Sequence, residues 1–263
     1  MAGGLGQDSL EGIAEAVGID APVFFRERTG STNTDAVAMA ERGVPEWSVF
    51  AAGHQIAGRG RLGRGWESPP NASLLVSVVL RPALPPDDLP LLSLLAATAM
   101  AEACRSVAGV EVRVKWPNDL LVGDRKLGGV LAEARVVGGR VEHAVVGIGV
   151  NVEQTPADFP EGLRGRATSL LAEGAEPDQG ALLEGYLRRL WDGYRPGDPG
   201  FGDAVVGEAR ALSATLRRRV AATTLAGRVV EGVAVDLDGR GNLVLDVDGR
   251  RETVLFGEVE HLL

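Results

Sequence analysis

The chain has 263 residues, of which 45% are hydrophobic and 24% charged. That balance fits a globular protein with room for one large domain, or a large domain and a small one. A formal net charge of -9 disfavours general nucleic-acid binding, which depends on neutralising phosphates. The lone cysteine, Cys104, excludes an intramolecular disulfide framework and fits a reducing, cytoplasmic setting.

Residues 1–22 are Gly-rich and acidic, with one helical pattern from Leu10 to Val17. They read as an extension of uncertain order, too short for a helix-turn-helix domain. The first basic residue is Arg26, so no charged leader region is expected, and the apolar run Leu89 to Ala101 is too short to span a bilayer. Val23 to Arg28 is a candidate strand. Ser31, Thr32 and Asn33 then precede a helical pattern from Ala36 to Arg42, and Thr32 with Asp35 resembles a capping box. A helix N-terminus carrying short hydroxyl and amide side chains is also a ready polar binding site.

Trp47 to Ala52 reads as a strand, and Ala72 to Arg81 as another, apolar almost throughout as if covered on both faces. Between them runs HQIAGRGRLGRGW, residues 54–66, in which Gly58, Gly60, Gly63 and Gly65 alternate with Arg59, Arg61 and Arg64 before Trp66. Glycine lets the main chain approach a ligand, and arginine presents a planar fork of donors to phosphate or carboxylate. A Gly/Arg tract can be disordered or a weak RNA binder. Flanking apolar strands favour an anion-binding loop instead, poorly ordered or displaced until an anion closes it.

Pro82, Pro85 and Pro86 break the chain before a Leu/Ala-rich helix from Asp87 to Val107, which carries Cys104 as a buried structural thiol. Val110 to Trp116 alternates as a strand and ends in the turn Pro117-Asn118-Asp119. A strand from Lys126 to Val137, the turn Gly138-Gly139 and a return strand from Val141 to Val152 make a hairpin. Gly147 and Gly149 lie where a ligand could rest against that return strand. After an irregular loop, Thr155 to Arg166, come two helices, Leu182 to Tyr194 and Phe201 to Leu212. From about Leu216 the texture changes to short strands and tight turns, as in a small all-β barrel. Arg217-Arg218-Arg219 reads as a solvated strand edge.

Gly58-Arg59-Gly60-Arg61-x-Gly63-Arg64-x-Trp66, Lys115-Trp116-Pro117-Asn118-Asp119, Lys126-Leu127-x-Gly129-x-Leu131 and Gly147-x-Gly149-x-Asn151, with Ser31-Thr32-Asn33 and Gln55, closely resemble the motifs of the biotin protein ligases. The resemblance implies an α+β fold: a catalytic domain related to class II aminoacyl-tRNA synthetases, with a mixed sheet and helices, plus an SH3-like C-terminal barrel. The corresponding boundaries are an N-terminal extension, 1–22, a catalytic domain, 23–213, and the barrel, 214–263. It implies activation of biotin by ATP to biotinyl-5′-AMP and transfer to a lysine of a biotin carboxyl carrier protein domain. Arg59, Arg61 and Lys126 are implied around the biotin carboxylate and the adenylate phosphate. Ser31, Thr32, Asn33 and Gln55, with backbone at Gly60, Gly128, Gly147 and Gly149, are implied around biotin. Arg64, Trp66, Asn118 and Asn151 are implied near the nucleotide, and Asp119 as a Mg²⁺ ligand. Trp66 and Trp116 serve equally as cover for the ligand or as core packing.

Two features depart from the resemblance. No DNA-binding domain is expected, so a repressor role and a DNA partner are not, and the chain ends Glu260-His261-Leu262-Leu263 where relatives often carry an arginine. Some members dimerise through the catalytic sheet, which keeps a homodimer among the expected states. A lipoate–protein ligase shares the adenylate logic, but the Gly/Arg loop and KWPND argue against it. A ligand-responsive regulator would need a DNA-binding element.

Overall fold

The computed structural model describes residues 5–224, 227–255 and 257–262. Residues 1–4 of the N-terminal extension and the terminal Leu263 lie outside the described residues. Helix α1 (Gln7–Val17) aligns Leu10, Ile13, Ala14 and Val17 at helical spacing, and all four are buried. Gly18, with φ at 90°, supplies its left-handed C-cap. The Gln7 carboxamide accepts from Phe25 N at 2.7 Å and donates to Val23 O at 3.0 Å. It thereby satisfies backbone groups of an edge strand, as a neighbouring strand would. The N-terminal segment is folded into the core through this helix.

In chain order there follow β1 (Val23–Arg26), α2 (Thr32–Ala40), β2 (Val49–Ala52), β3 (Gly58–Arg59), β4 (Gly65–Trp66) and β5 (Ser73–Leu80). Next come α3 (Pro90–Ala108), β6 (Arg113–Lys115), β7 (Asp119–Val122), β8 (Arg125–Val137), β9 (Arg140–Asn151), α4 (Gln179–Gly193) and α5 (Phe201–Ala211). Seven strands form one mixed sheet in the order β1-β2-β5-β9-β8-β7-β6, in which only β1 and β2 run parallel. Strand β5 is buried at every position. Its Leu74, Val76, Val78 and Leu80 join the main core with α3, while Ser77 on the alternate positions bonds to the start of α2.

Helix α3 continues past the apolar run seen in the sequence. Over Pro86–Ala108 the segment is long and apolar enough to cross a membrane by length and composition alone. It is instead mostly buried, packed between the sheet and α4, as the core helix of a globular domain.

Strands β10 (Arg219–Thr224), β11 (Val229–Leu237), β12 (Leu243–Val247), β13 (Arg250–Val254) and β14 (Gly257–His261) form an antiparallel sheet in the order β13-β12-β11-β10-β14. This all-β unit is stitched to the larger sheet at the KWPND turn. Trp116, 5% exposed, donates its backbone N–H to Thr215 Oγ1 at 3.0 Å and its indole N–H to Gly241 O at 2.9 Å. Trp116 is therefore core packing between the two units. Arg217, Arg218 and Arg219 are exposed, as expected of a solvated edge, and Arg218 also donates to Asp124 Oδ1 at 2.8 Å, in the exposed turn between β7 and β8.

The same junction holds His261, whose Nδ1 lies 3.1 Å from the Arg218 guanidinium and whose Nε2 lies 3.4 Å from Thr215 Oγ1. Desolvation, with Lys115 and Arg218 nearby, pushes its pKa down from 6.5 to about 4. Between those values the unfolded chain takes up a proton that the folded ring resists. The associated stability is full above the upper value and is lost as pH falls through the window. His261→Gln should therefore lose less thermal stability than wild type between about pH 7 and about pH 4.5. Parallel melting curves for the two proteins across that range would remove His261 from the acid response.

Candidate active site

Site geometry begins with strand register. Ser77 on β5 stands opposite Gly147 on β9, and Leu75 opposite Gly149. On the other side of β9, Gly147 faces Leu131 and Gly149 faces Gly129 on β8. A Cβ on Gly147 would come within 1.8 Å of Asn33 Oδ1, and one on Gly149 within 2.9 Å of the Trp66 indole. The two glycines thus let Asn33 from α2 and Trp66 from β4 lie directly on the sheet. The space that a side chain at either position would take is thus filled by Asn33 and Trp66. Gly128 serves the sheet itself, because a Cβ there would strike Gly149 O at 2.5 Å.

Over this platform α2 starts. Ser31 is its N-cap residue, but the Ser31 side chain makes no capping bond. Gln55 Oε1 instead accepts from Thr32 N at 2.7 Å and from Thr32 Oγ1 at 3.0 Å. Asp35 accepts the Thr29 hydroxyl at 2.6 Å, so the capping box suggested by Thr32 and Asp35 does not form. A bridge between Thr29 and Gln55 brings the Gln55 amide to the helix end, where it meets the unpaired N–H. Ser31, 3% exposed, keeps its hydroxyl out of the cap. Ser77 Oγ, fully buried, donates to Asn33 Oδ1 at 2.6 Å and lies 2.8 Å from Thr32 Oγ1. Asn33 Nδ2 donates to Leu131 O at 3.1 Å and to Glu133 Oε2 at 2.9 Å.

The Gly/Arg segment is a formed hairpin. Gly58 pairs with Trp66 and Arg59 with Gly65, and Gly60 N donates to Arg64 O at 2.7 Å. Leu62 and Gly63, with φ at 54° and 76°, make its tip. Protein carboxylates stand beside its arginines: Arg59 pairs with Glu133, and Arg64 pairs with Glu258 of β14. Trp66 on Gly149 adds the apolar contact.

Beside the hairpin lies a second charged group. Arg61 Nη1 donates to Asn118 Oδ1 at 3.2 Å, and Lys126 Nζ donates to Asp119 Oδ1 at 2.6 Å. Burial lowers the Arg61 pKa, opposed by Glu258 and Asp119 and reinforced by Arg64. Lys115 is lowered likewise by desolvation, with Asp119 opposing and Lys126 adding to it. The sheet thus gathers Arg61, Asn118, Asp119 and Lys126 in one place. Arg59 goes elsewhere: its partner is Glu133, shared with Asn33, whereas the resemblance had grouped it with Arg61 and Lys126.

Asn118 and Asn151 are held from behind. Asn118 Nδ2 donates to Val130 O at 2.6 Å. Asn151, 6% exposed, donates to Thr168 O at 2.9 Å and accepts from Gln154 Nε2 at 3.0 Å. Thr168 N in turn donates to Lys126 O at 2.9 Å, so Asn151 secures the segment that flanks Lys126.

Three contributing residues escape the sequence reading: Ser77, Glu133 and Glu258. Ser77 carried a signal, as the polar residue interrupting the apolar run from Leu74 to Leu80, since a buried hydroxyl needs a partner. Glu258 carried none, because its role depends on how the barrel docks. Glu258→Gln should loosen the hairpin. An exposed ion pair contributes up to about 1 kcal/mol, so native-state trypsin cleavage at Arg61 or Arg64 should rise up to about fivefold. Cleavage at the wild-type rate would show that Glu258 does not anchor it.

Comparison with known proteins adds to this geometry. The profile of the "Biotin/lipoate A/B protein ligase family" matches residues 25–151, and that of the "Biotin protein ligase C terminal domain" matches residues 215–262. The Bacillus subtilis protein named "Bifunctional ligase/repressor BirA" is 33% identical over 241 residues, spanning 90% of this chain and 73% of its own length. The Mycobacterium tuberculosis "Biotin--[acetyl-CoA-carboxylase] ligase" is 37% identical over 251 residues, 89% of this chain and 87% of that protein. Among solved structures, the biotin protein ligase of Aquifex aeolicus in complex with biotin and ATP superposes with a TM-score of 0.73 at 25% identity, covering 91% of this chain and 97% of its own. With both domain profiles matched in order and relatives aligned over most of their lengths, the chain belongs to the biotin protein ligase family.

Proposed function

We propose that the chain joins biotin to ATP as biotinyl-5′-AMP and then transfers the biotinyl group to a lysine of a biotin carboxyl carrier protein domain of the acetyl-CoA carboxylase type. The observation that carries this reading is the meeting, on one sheet face, of a polar basket at the start of α2 with the Arg61–Asn118–Asp119–Lys126 group. In the first step a carboxylate oxygen of biotin attacks the α-phosphorus of ATP, and the bond to the departing pyrophosphate breaks. Two anions must approach, which is unfavourable by several kcal/mol, on the order of ~4 for unit charges 4 Å apart at an effective dielectric of ~20, unless cations offset it. Arg61 and Lys126 are the cations positioned for this, and a compact ammonium can touch carboxylate and phosphate oxygens together.

Ser31, Thr32, Asn33 and Gln55 would bind the ureido ring, Gly60 offers backbone in the hairpin, and Trp66 would cover the acyl chain. Arg64, Asn118 and Asn151 belong on the nucleotide side, with Asn151 acting through the segment beside Lys126. Among the described residues, no group of three or more His, Cys, Asp or Glu is placed to hold a metal. Mg²⁺ commonly relies on one or two carboxylates plus phosphate oxygens and water, and Asp119 fits as that single carboxylate. When bound with ATP, Mg²⁺ would neutralise phosphate charge. In the second step the carrier lysine, having lost its proton, attacks the acyl carbonyl, the amide bond forms and AMP leaves. Positioning of the amine supplies much of that acceleration.

The domain reading that goes with this function takes 1–22 as an N-terminal extension, whose helix α1 packs on the core, and assigns 23–213 to catalysis and 214–263 to the barrel. A cytoplasmic site of action accords with a single buried Cys104.

The direct test compares pyrophosphate release from ATP with biotin, lipoate and octanoate. Biotin alone should support it, and release with lipoate but not biotin would assign the chain to the lipoate branch. Lys126→Ala should reduce biotin-dependent release by about 100-fold or more while the protein stays folded. A folded variant with near-normal release would take Lys126 out of the chemistry.

A further inference from the structure

We infer that Glu133 is a positioning residue for biotin recognition, the carboxylate that locks the Asn33 amide and the Gly/Arg hairpin to the same strand. The inference rests on reading the site as a biotin pocket. Glu133 lies on β8, two residues beyond Leu131, and its Oε2 receives both Asn33 Nδ2 at 2.9 Å and the Arg59 guanidinium.

The valences of the Asn33 amide show what this does. Both Nδ2 hydrogens are used, by Leu131 O and Glu133 Oε2, and Oδ1 already accepts from Ser77. A side-chain amide offers two donors and two acceptor lone pairs. One lone pair of Oδ1 is therefore the single valence left, held in a fixed direction over Gly147. The group that matches it is an N–H donor, such as that of a cyclic urea. Reversal of the amide could be met by Ser77, whose hydroxyl can turn its proton to Thr32 Oγ1 at 2.8 Å, but it would leave Leu131 O and Glu133 Oε2 facing an oxygen. Glu133 thus selects the acceptor orientation.

Arg59 is the other half of the device. Its charge is met by Glu133, so it serves to anchor β3 at the ring end of the pocket and not to neutralise the biotin carboxylate. Glutamine at 133 could accept from Asn33 but would carry no charge for Arg59, and alanine could do neither. The effect of changing Glu133 should accordingly appear in biotin binding and spare ATP.

The test is steady-state pyrophosphate release by wild type, Glu133→Gln, Glu133→Ala, Arg59→Ala and the double variant Arg59→Ala/Glu133→Ala. Glu133→Ala should raise KM for biotin about tenfold, with KM for ATP unchanged and kcat within about threefold of wild type. Glu133→Gln should fall between wild type and alanine, and its near-isosteric side chain at a one-third exposed position (33%) keeps the fold. The double variant should bind biotin no more weakly than Glu133→Ala alone, since the two residues act as a unit. A wild-type KM for biotin in folded Glu133→Gln and Glu133→Ala, with only thermal stability reduced, would overturn the inference. So would additive effects in the double variant. Absence of biotin-dependent release by the wild-type protein would overturn the site reading itself, and the inference with it.

Discussion

Two missing side chains on β9 set the geometry on which the site depends. Gly147 and Gly149 point to the same face of the sheet, and the space of their absent Cβ atoms is filled by Asn33 Oδ1 and the Trp66 indole. One comes from a helix N-terminus and the other from a hairpin, so a single strand fixes the distance between the start of α2 and the Gly/Arg hairpin. The helix end is fixed in turn by Gln55 and Ser77, and the hairpin by Glu133 and Glu258. Removing either glycine would lift one of these parts off the platform while leaving the sheet's backbone pairing in place.

Electrostatics explain why an acidic chain can host an anion site. Its cations are already paired internally: Arg59 with Glu133, Arg64 with Glu258, and Lys126 with Asp119. The Arg64 and Lys126 side chains are 63% and 40% exposed, so each of those two pairs contributes about 0–1 kcal/mol and can be exchanged for a ligand's oxygens at small cost. Arg61 differs, being more buried and lowered in pKa by desolvation. It gains most from an incoming negative charge, because the pairing is made in a medium that screens poorly. Glu258 also links the barrel to this balance, across an interface cemented by Trp116, Thr215 and Gly241.

Much of this was legible in the sequence. Alternation and apolar runs marked most strands of the large sheet, since burial on one or both faces leaves that imprint directly. The Gly/Arg segment was legible from its residue types, whereas Lys126, Asp119 and Asn118 became legible only through the resemblance of their motifs to those of the biotin protein ligases. What was not legible arises from contacts distant in the chain. The short strand Asp119–Val122 went unassigned beyond the turn Pro117-Asn118-Asp119, because only pairing with β6 and β8 makes it a strand. Thr32 and Asp35 had the spacing of a capping box, yet Gln55, 23 residues beyond Thr32, took the role by reaching the helix end first. The partners of the hairpin were out of reach for the same reason: its counter-charges, Glu133 and Glu258, lie on strands that local sequence cannot place beside it.

The claim that the glycine pair positions both halves of the site is tested most directly by titration calorimetry of biotin binding to Gly147→Ala and Gly149→Ala. Both variants should unfold cooperatively like wild type, yet bind biotin about 30-fold or more weakly, a loss of about 2 kcal/mol. Wild-type affinity in either folded variant would contradict the account.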